Sequence, residues 1–328
     1  EMKRPIVIVL LTIALTLVCL GIGAVVFFAA NGGFPNNNPF NGPNASSEVQ
    51  ETKTIKVDTT NPINLKVTND AGDVTIVGAD VDSIQVEVIK TSHAATQARA
   101  DEEVKNIKYD IKQVDNTITF TYNVPKINSN IPNVNIFDAN WETVDFIITV
   151  PNETTVNVDG GMGEVNASGT KGNVDIKNDF GNVTVENIEG ALTVQTNSGE
   201  VNATSIKAGS ENIDLRSDFG GVTLEKAGGK DITLDSNSGT ITLSEVRATG
   251  DLNSNTDYGN TKFENGSANS LHIETNSGEV SLVKINISKE IFVKDDFGDI
   301  ELEQAFAASY DLHANSGSIT VDGAKGIL

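Results

Sequence analysis

The sequence predicts an all-β fold, a single-stranded β-solenoid of short strands wound into stacked coils, preceded by one N-terminal transmembrane helix. Three observations carry this prediction. Glycine-containing turns recur at a fixed spacing in the C-terminal half, stretches of alternating apolar and polar residues follow them, and a long apolar run begins near the N-terminus. A fixed period indicates stacked units, and the alternation indicates half-buried strands. Aromatic residues make up only 5% of the 328 residues, which disfavours a globular enzyme with a thick aromatic core.

Residues 1–30 are predicted to be a membrane anchor. Lys3 and Arg4 precede an apolar run over residues 5–30, which as a helix is long enough to cross a hydrocarbon core of about 30 Å. The positive charges before the run predict a cytoplasmic N-terminus and a C-terminal ectodomain outside the cell membrane. The alternative is a cleaved signal peptide, but the run is longer than a typical signal sequence and Phe28-Ala29-Ala30 is a poor cleavage site. The only cysteine, Cys19, lies within the run, so no intrachain disulfide can form.

Two segments separate the anchor from the regular repeat. Residues 31–50 are rich in Asn, Gly and Pro, which predicts a flexible linker. Residues 51–159 are predicted to form a β-rich cap over the N-terminal end of the solenoid, where exposed strand edges would invite aggregation. Within this cap, alanines and charged residues after Ser92 predict one short helix over about residues 92–108, capped by that serine. The Pro- and Asn-rich stretch 123–141 predicts an irregular loop that carries the only tryptophan, Trp141.

Residues 160–328 are predicted to form the regular solenoid, with coils of about 19–20 residues. An Asp-aromatic-Gly turn alternates with an Asn-Ser-Gly turn, so that turns of one type recur once in every two coils. The glycines are predicted to be structural corner residues with a positive φ, and the Asp or Asn two residues earlier to cap the turn. The aromatic residue of each turn is expected to stack on its equivalent two coils away. The corner glycines are Gly181, Gly199, Gly220, Gly239, Gly259, Gly278, Gly298 and Gly317.

Alternating strands follow these corners, as in Val183-Thr184-Val185 and Ile241-Thr242-Leu243. A period of two places the aliphatic residues on one face of the strand and Thr or acidic residues on the other. A strand pair of this length cannot bury its apolar face alone. Coils stacked in register are therefore predicted to share one narrow, continuous aliphatic core.

Over roughly residues 50–325 the chain resembles the bacterial and archaeal adhesin-like family known as the DUF4097 domain. The resemblance rests on the strand Gly72-Asp73-Val74-Thr75-Ile76, the helical insertion after Lys90, the segment from Val144 to Pro151 and the alternating corner turns. The resemblance implies a single-stranded β-solenoid that is commonly tethered to the cell envelope. It offers no catalytic residues to carry over to this chain.

Stacked corner carboxylates are the strongest candidate for a ligand site. A carboxylate ladder can bind Ca²⁺, but one such Asp in every second coil is sparse for a calcium site, which favours turn capping. No residue is predicted to be catalytic, to bind a cofactor or to bind zinc, because the single cysteine and three separated histidines offer no ligand pattern. The weak calcium candidates, in the densest carboxylate group, are Asp295, Asp296 and Asp299.

The formal net charge of −22 bears on partners. Such a surface repels nucleic acid and anionic headgroups, so no nucleic-acid partner is expected. The sequence also contains N-glycosylation motifs, which mark sites that a glycosylating host could modify. These motifs begin at Asn44, Asn152, Asn166, Asn182, Asn202, Asn265 and Asn286.

These features predict a membrane-anchored extracytoplasmic surface protein without catalysis, an adhesin-like platform whose flat faces bind a surface ligand, either protein or glycan. One alternative is a structural subunit of a surface assembly or filament, built by self-association. A second alternative is an envelope-stress accessory protein whose anchor couples to membrane partners. A monomeric ectodomain favours the adhesin, whereas concentration-dependent polymers favour the structural subunit.

Overall fold

The computed structural model describes residues 26–28, 45–125, 141–323 and 325–327, with side chains described for 45–125 and 141–323. The described strands belong to one hydrogen-bonded sheet that winds into a β-solenoid of about nine turns, which confirms the predicted all-β solenoid. The elements of the N-terminal part are β1 (Val26–Phe28), β2 (Ala45–Lys56), β3 (Ile63–Ala71), β4 (Val74–Ala79), β5 (Ser83–Ala94), α1 (Gln97–Glu103), β6 (Asp110–Val114), β7 (Thr117–Tyr122) and β8 (Trp141–Pro151).

The regular coils follow from β9 onward. Their strands are β9 (Thr154–Met162), β10 (Val165–Ser168), β11 (Val174–Phe180), β12 (Val183–Glu186), β13 (Leu192–Ser198), β14 (Val201–Thr204), β15 (Ile213–Phe219), β16 (Val222–Glu225), β17 (Gly228–Gly229), β18 (Ile232–Ser238), β19 (Ile241–Ser244), β20 (Arg247–Ala248), β21 (Asp251–Tyr258), β22 (Thr261–Ala268), β23 (Ser270–Ser277), β24 (Val280–Ile287), β25 (Glu290–Phe297), β26 (Ile300–Glu303), β27 (Phe306–Ser316), β28 (Ile319–Asp322) and β29 (Lys325–Ile327).

Each coil contributes one strand to each of two parallel ladders. The first ladder runs through β3, β9, β11, β13, β15, β18, β21, β23, β25 and β27. The second ladder runs through β4, β10, β12, β14, β16, β19, β22, β24, β26 and β28. Val174 pairs with Leu192 of the next coil and Leu192 pairs with Ile213, so the second of these two coils is longer than the first. Coil length therefore varies around the predicted value while the register of the core positions is kept.

The inward side chains of both ladders form one continuous core. Along β11 the buried residues Val174 and Ile176 alternate with the half-buried or exposed Asp175 and Lys177. Ile176 pairs with Val194 of the next coil, and the buried apolar side chains of successive coils form a single cluster. Each Val, Leu or Ile removed from water in this way contributes roughly 1.5–3 kcal/mol. The alternating pattern therefore fixes which face of every strand turns inward.

A second corner follows the second ladder and consists mostly of residues other than glycine. Lys226 has a φ of 51°, and the residue after it, Ala227, is buried. The left-handed conformation costs about 1–2 kcal/mol for a residue with a Cβ. The Lys226 amide donates a 2.9 Å hydrogen bond to the Ser244 carbonyl of the next coil, which offsets part of this cost. The equivalent residues are Asn187, Ser205, Glu245, Asn265, Lys284 and Gln304.

The N-terminal region extends both ladders. Strand β8 pairs in parallel with β4, β5 pairs antiparallel with β8, and β2 pairs antiparallel with β5. On the first ladder, β7 pairs in parallel with β3 and antiparallel with β6. However, β3 and β4 already form a coil in register with β9 and β10, so the solenoid pattern begins near Ile63 rather than at residue 160.

The helix α1 is shorter than predicted. It spans Gln97–Glu103 and not 92–108, and its N-cap is Thr96, whose Oγ1 accepts a hydrogen bond from the Arg99 amide, rather than Ser92. Residues Ser92 to Ala94 instead continue β5, because all three pair with β2, and Ser92 and His93 also pair with β8 on the other side. Tertiary hydrogen bonding thus overrides the helical composition of this segment.

Most of the predicted anchor and linker lies outside the described residues. The three residues of β1 fall within the predicted anchor but pair antiparallel with β2, with Val26 opposite Gln50. The predicted linker is too long, because β2 begins at Ala45. In the part of the chain that the structure describes, no helix combines the length and apolar character needed to cross a membrane. Of the predicted loop 123–141, residues 126–140 lie outside the described residues, and Trp141 begins β8.

Candidate binding surface

The corner glycines stack in one column, and both turn types share it. A Cβ added to Gly181 would lie 2.1 Å from the carbonyl oxygen of Gly163, one on Gly199 would lie 2.1 Å from that of Gly181, and the contacts repeat coil by coil. Because these neighbours are backbone atoms, no side chain fits at the corner. A positive φ is found at Gly181, Gly199, Gly220 and Gly259. The predicted positive φ is wrong for Gly239, Gly278, Gly298 and Gly317, where close approach of the previous coil alone excludes a Cβ.

Buried polar residues on the inner side of this corner hold the column together. The Asn178 side-chain amide donates hydrogen bonds to the carbonyls of Gly163 (3.0 Å) and Gly181 (3.1 Å). At the same register position, Ser217 donates to Gly199 at 2.8 Å and Ser236 donates to Gly220 at 3.0 Å. Each donor satisfies a carbonyl that would otherwise be buried without a partner.

The turn aspartates join neighbouring coils. The Asn197 side-chain amide donates to Asp179 at 3.0 Å, Asn237 donates to Asp218 at 3.5 Å and Asn315 donates to Asp296 at 2.7 Å. The residue after the glycine, rather than the aspartate, accepts a hydrogen bond from a backbone amide: Asn182 Oδ1 accepts from the Glu200 amide of the next coil at 2.9 Å. The prediction that Asp179 and its equivalents cap their own turns is therefore replaced by a ladder of alternating Asp and Asn along the solenoid, here called the Asp/Asn ladder.

The aromatic residues of the turns form an exposed column on the outside of the same corner. Phe180, Phe219, Tyr258 and Phe297, here called the aromatic column, are 57%, 65%, 62% and 63% exposed. The strand register places a serine between successive rings: Ser198 between the first two, then Ser238, Ser277 and, after the last ring, Ser316. Successive rings are therefore two strand spacings apart, about 9.5 Å.

This spacing overturns the expectation that the rings stack on one another, because stacked aromatic pairs have centroids about 4.5–7 Å apart. A contact in adjacent coils shows the difference. His272 and Phe292 are direct ladder partners, and their rings stack at 4.4 Å with an interplanar angle of 3°. The turn aromatics are instead separated by gaps, and a serine lies in each gap between two rings.

A shallow groove on the outer face of the first ladder lies beside the Asp/Asn ladder. The residues Arg216, Asp235, Asn255, Glu274 and Lys294 occupy one register position in five successive coils and line it. Arg216 forms an ion pair with Asp218 at 3.0 Å. The groove is thus polar and of mixed charge, and residues of the Asp/Asn ladder such as Asn237 and Asp257 also line it.

The calcium candidates do not converge. Asp295 points inward and is 1% exposed, with Oδ1 accepting a 3.1 Å hydrogen bond from the Phe297 amide. Asp296 points outward to Asn315, and Asp299 accepts hydrogen bonds from Ser318. Among the side chains of residues 45–125 and 141–323, no group of three or more His, Cys, Asp or Glu is placed to hold a metal ion.

The pKa values of these carboxyls follow from their different surroundings. Burial raises the pKa of Asp295, repulsion from Asp296 and Asp299 adds to the increase, and the Phe297 amide opposes it. Hydrogen bonds from the Ser318 amide and hydroxyl hold the pKa of Asp299 below its usual range. Asp295 is therefore driven toward the protonated form, whereas Asp299 is held in the ionised form.

The N-glycosylation motifs lie on strands and corners rather than in one patch. Asn182, Asn265 and Asn286 are exposed, and Asn152, Asn166 and Asn202 are half-buried. Asn44 lies outside the described residues. Modification of any of them stays a prediction.

Sequence reasoning identified the corner motifs but not the surface that they make. The exposed aromatic column and the inter-coil Asp–Asn pairs exist only between residues that lie one or two coils apart along the chain. The strict alternation of Asp-aromatic-Gly with Asn-Ser-Gly in the sequence could have revealed this surface. Each coil contributes one such turn, so turns that alternate along the chain must also alternate along the stacked coils.

The chain was compared with protein families, curated proteins and solved structures. A protein-family model described as Toastrack DUF4097 matches residues 60–325. The crystal structure of "a putative adhesin" from Bacteroides fragilis is 14% identical, with a TM-score of 0.33 over 83% of this chain and 96% of that chain. The crystal structure of "a putative cell adhesion protein" from Clostridium sporogenes is 12% identical, with a TM-score of 0.30 over 84% of this chain and 99% of that chain. No curated protein matches the sequence.

Proposed function

The chain belongs to the DUF4097 family, and from its structure we propose that it is a non-catalytic, adhesin-like binding protein displayed outside the cell. The observation that carries this proposal is the aromatic column. Four large rings at equivalent corners, each more than half exposed, form an ordered apolar row on a rigid scaffold. Exposed aromatic side chains that recur in a row, rimmed by polar residues, are typical of an interaction site.

The solenoid also explains why the row is suited to binding. Each ring sits beside a corner glycine whose backbone is packed against the neighbouring coils, as for Phe180 beside Gly181. The corners are therefore fixed relative to one another, so little backbone entropy is lost when a ligand binds. A preformed row favours an extended ligand over a small molecule.

Membrane attachment is part of this proposal. The positive charges at Lys3 and Arg4, followed by the apolar run, support an anchor with the N-terminus inside the cell and the solenoid outside. Even without the residues of β1, residues 5–25 are long enough as a helix to span about 30 Å. In cells expressing the full chain, the ectodomain should be digested by external protease and the N-terminus protected.

The binding proposal is tested with the full chain in detergent on a glycan and protein array. The variant F180S/F219S/Y258S/F297S should lose the signals that the natural chain gives. Serine already occupies this register position in the alternate coils, so the replacement suits the corner. The control V114S/I147S removes exposed apolar side chains outside the column and leaves the rings in place, and it should keep the signals. Equal signals from the natural chain and the ring-deleted variant would contradict the proposal.

A further inference from the structure

We propose that the ligand of the aromatic column is a neutral, extended β-1,4-linked polysaccharide that lies along the solenoid axis, with every second sugar stacked on a ring. This inference rests on the proposed binding function and names its ligand class. Three features of the column lead to it: the interval between the rings, the polar groups between and beside them, and the charge around them.

The interval comes from the sheet itself. Phe180 and Phe219 are separated by the Ser198 strand, so their separation is two strand spacings, about 9.5 Å. In an extended β-1,4-linked hexose chain, successive sugars turn opposite faces outward, and one disaccharide has nearly this length. A chain lying on the column would therefore present the same sugar face to each successive ring. An α-1,4-linked chain curves and loses this match after one or two rings.

The polar groups suit the sugars between the rings. Each gap has a serine hydroxyl at its floor, which can donate or accept a hydrogen bond from the intervening sugar. A turn aspartate precedes every ring in the sequence and a turn asparagine precedes every serine, as Asp179 and Asn197 do, so further polar side chains lie along the same corner. The Asp179 carboxylate receives the Asn197 amide on one oxygen, which leaves acceptor positions for sugar hydroxyls.

The charge around the column selects among possible ligands. An aspartate precedes every ring in the sequence, and the whole chain carries a formal charge of −22. An anionic polymer would place its charges against these carboxylates, and so would a second copy of this chain, whose own ring corners are acidic. A neutral polymer avoids this repulsion.

The number of rings sets the length of the site. Four rings at disaccharide intervals cover about seven or eight sugars. Affinity should therefore rise as a neutral β-1,4-linked glucan oligomer grows from two to about eight sugars and then level off. Each ring removed should weaken binding roughly three- to tenfold, the effect expected for one lost ring contact.

The experiment is titration calorimetry of the full chain in detergent with β-1,4-linked glucan oligomers of two to eight sugars. Maltooligosaccharides of the same lengths test the linkage geometry, and carboxymethylated β-1,4-glucan tests the charge. Binding that grows with length, fails for the α-1,4-linked series, weakens for the anionic polymer and is lost in F180S/F219S/Y258S/F297S is the expected result. The control V114S/I147S replaces exposed apolar side chains outside the aromatic column and should bind within a few-fold of the natural chain, and circular dichroism of both variants checks that they fold.

The outcomes separate the inference from the proposed function. If no β-1,4-linked chain binds, but array signals from another ligand disappear in the ring-deleted variant, the ligand class is wrong and the binding function stands. If the rings affect no ligand at all, both are wrong. Concentration-dependent dimers that dissociate on ring deletion would assign the column to a second copy of the chain and would overturn the inference.

Discussion

Among single residues, the corner glycines are required for space more than for backbone conformation. At Gly298 the φ is not in the left-handed region, yet a Cβ there would lie 1.8 Å from the Gly278 carbonyl oxygen. At Gly220, a φ of 155° is combined with a Cβ position 2.1 Å from the Gly199 oxygen. Since the obstacle is the backbone of the neighbouring coil, a substitution forces two coils apart.

The substitution Gly220→Ala should therefore lower the free energy of unfolding by about 3 kcal/mol, through strain and lost inter-coil hydrogen bonds. Chemical denaturation measures this change. The matched control is Gly228→Ala, where the nearest atom to an added Cβ is 3.8 Å away and no positive φ is imposed. The control should change stability by less than about 0.5 kcal/mol. Equal effects at the two positions would refute the corner assignment.

Asp295 is an exception among the buried donors of the column. A Cβ added to Gly298 would lie 1.8 Å from the Gly278 carbonyl oxygen and 2.5 Å from Asp295 Oδ2. The equivalent residues four coils earlier are Gly220, Gly199 and Ser217, and there the Ser217 hydroxyl donates to the Gly199 carbonyl. Asp295 Oδ2 has no hydrogen-bond partner. An ionised carboxylate cannot donate to the carbonyl, so two acceptors face each other unless the acid is protonated.

Burial, with repulsion from Asp296 and Asp299, raises the pKa of Asp295 above the usual 3.8. The folded protein then holds this proton more tightly than the unfolded chain, so the contribution of this group to stability is present below pH 3.8 and is lost as the pH rises through the folded pKa. Asp295→Asn can donate at any pH, as Asn178 does. It should raise stability at pH 7 by about 1–2 kcal/mol and much less at pH 4.

Denaturation of the natural chain and of Asp295→Asn at pH 4 and pH 7 measures this difference. Asp179→Asn serves as the control, because it is the equivalent turn carboxylate several coils away and pairs with Asn197 in the same way. A variant that is less stable than the natural chain at pH 7 would show that the ionised form is preferred at position 295.

At the level of elements, the double period of two coils has a physical reason. If every coil carried an Asp at the corner, the carboxylates would stack at one strand spacing and repel. Alternation with Asn replaces repulsive contacts by hydrogen bonds, as between Asn197 and Asp179. The same alternation spaces the rings so that none covers another. The outer surface therefore repeats every two coils, whereas the core repeats every coil.

The cap strands are joined by a charged contact that the sequence did not reveal. Lys90 on β5, with a side chain 8% exposed, lies 2.7 Å from Glu51 on β2, and the Tyr109 hydroxyl donates to the same carboxylate at 2.6 Å. Burial by itself would raise the pKa of Glu51, but the hydrogen bonds from Lys90 and Tyr109 outweigh it and hold the pKa below 4.5. The contact therefore stabilises the fold above about pH 4.5 and weakens as the pH falls through the folded pKa.

Lys90→Met should destabilise the cap by about 2 kcal/mol, because it leaves Glu51 partly buried without its cation. The double variant Lys90→Met/Glu51→Leu should recover most of this loss, since it removes the unpaired charge. Chemical denaturation at pH 7 compares the two. If the double variant is no more stable than the single one, the loss of stability comes from lost packing of the Lys90 aliphatic stem and not from the unpaired Glu51 carboxylate.

For the whole molecule, stability accumulates coil by coil, since each coil contacts mainly its neighbours. Residues 60–325 match one family model, and the ladders run in register from β3 to β28 through most of that span. This regularity made the fold predictable from turns and alternation. The boundaries were less predictable, since Ser92 to Ala94 joined a strand only because β2 and β8 offered partners.

The coil, the inward aliphatic face, the glycine corner and the family could all be predicted from the chain alone, because each depends on local spacing and alternation that recur along it. The neighbours of each side chain across the coils follow only from the folded structure. It placed serines between the rings, paired Asn197 with Asp179 and set Asp295 against a glycine carbonyl. These neighbours are a full coil apart along the chain, and coil lengths vary, so only the hydrogen-bonded register of the stacked strands brings particular side chains together.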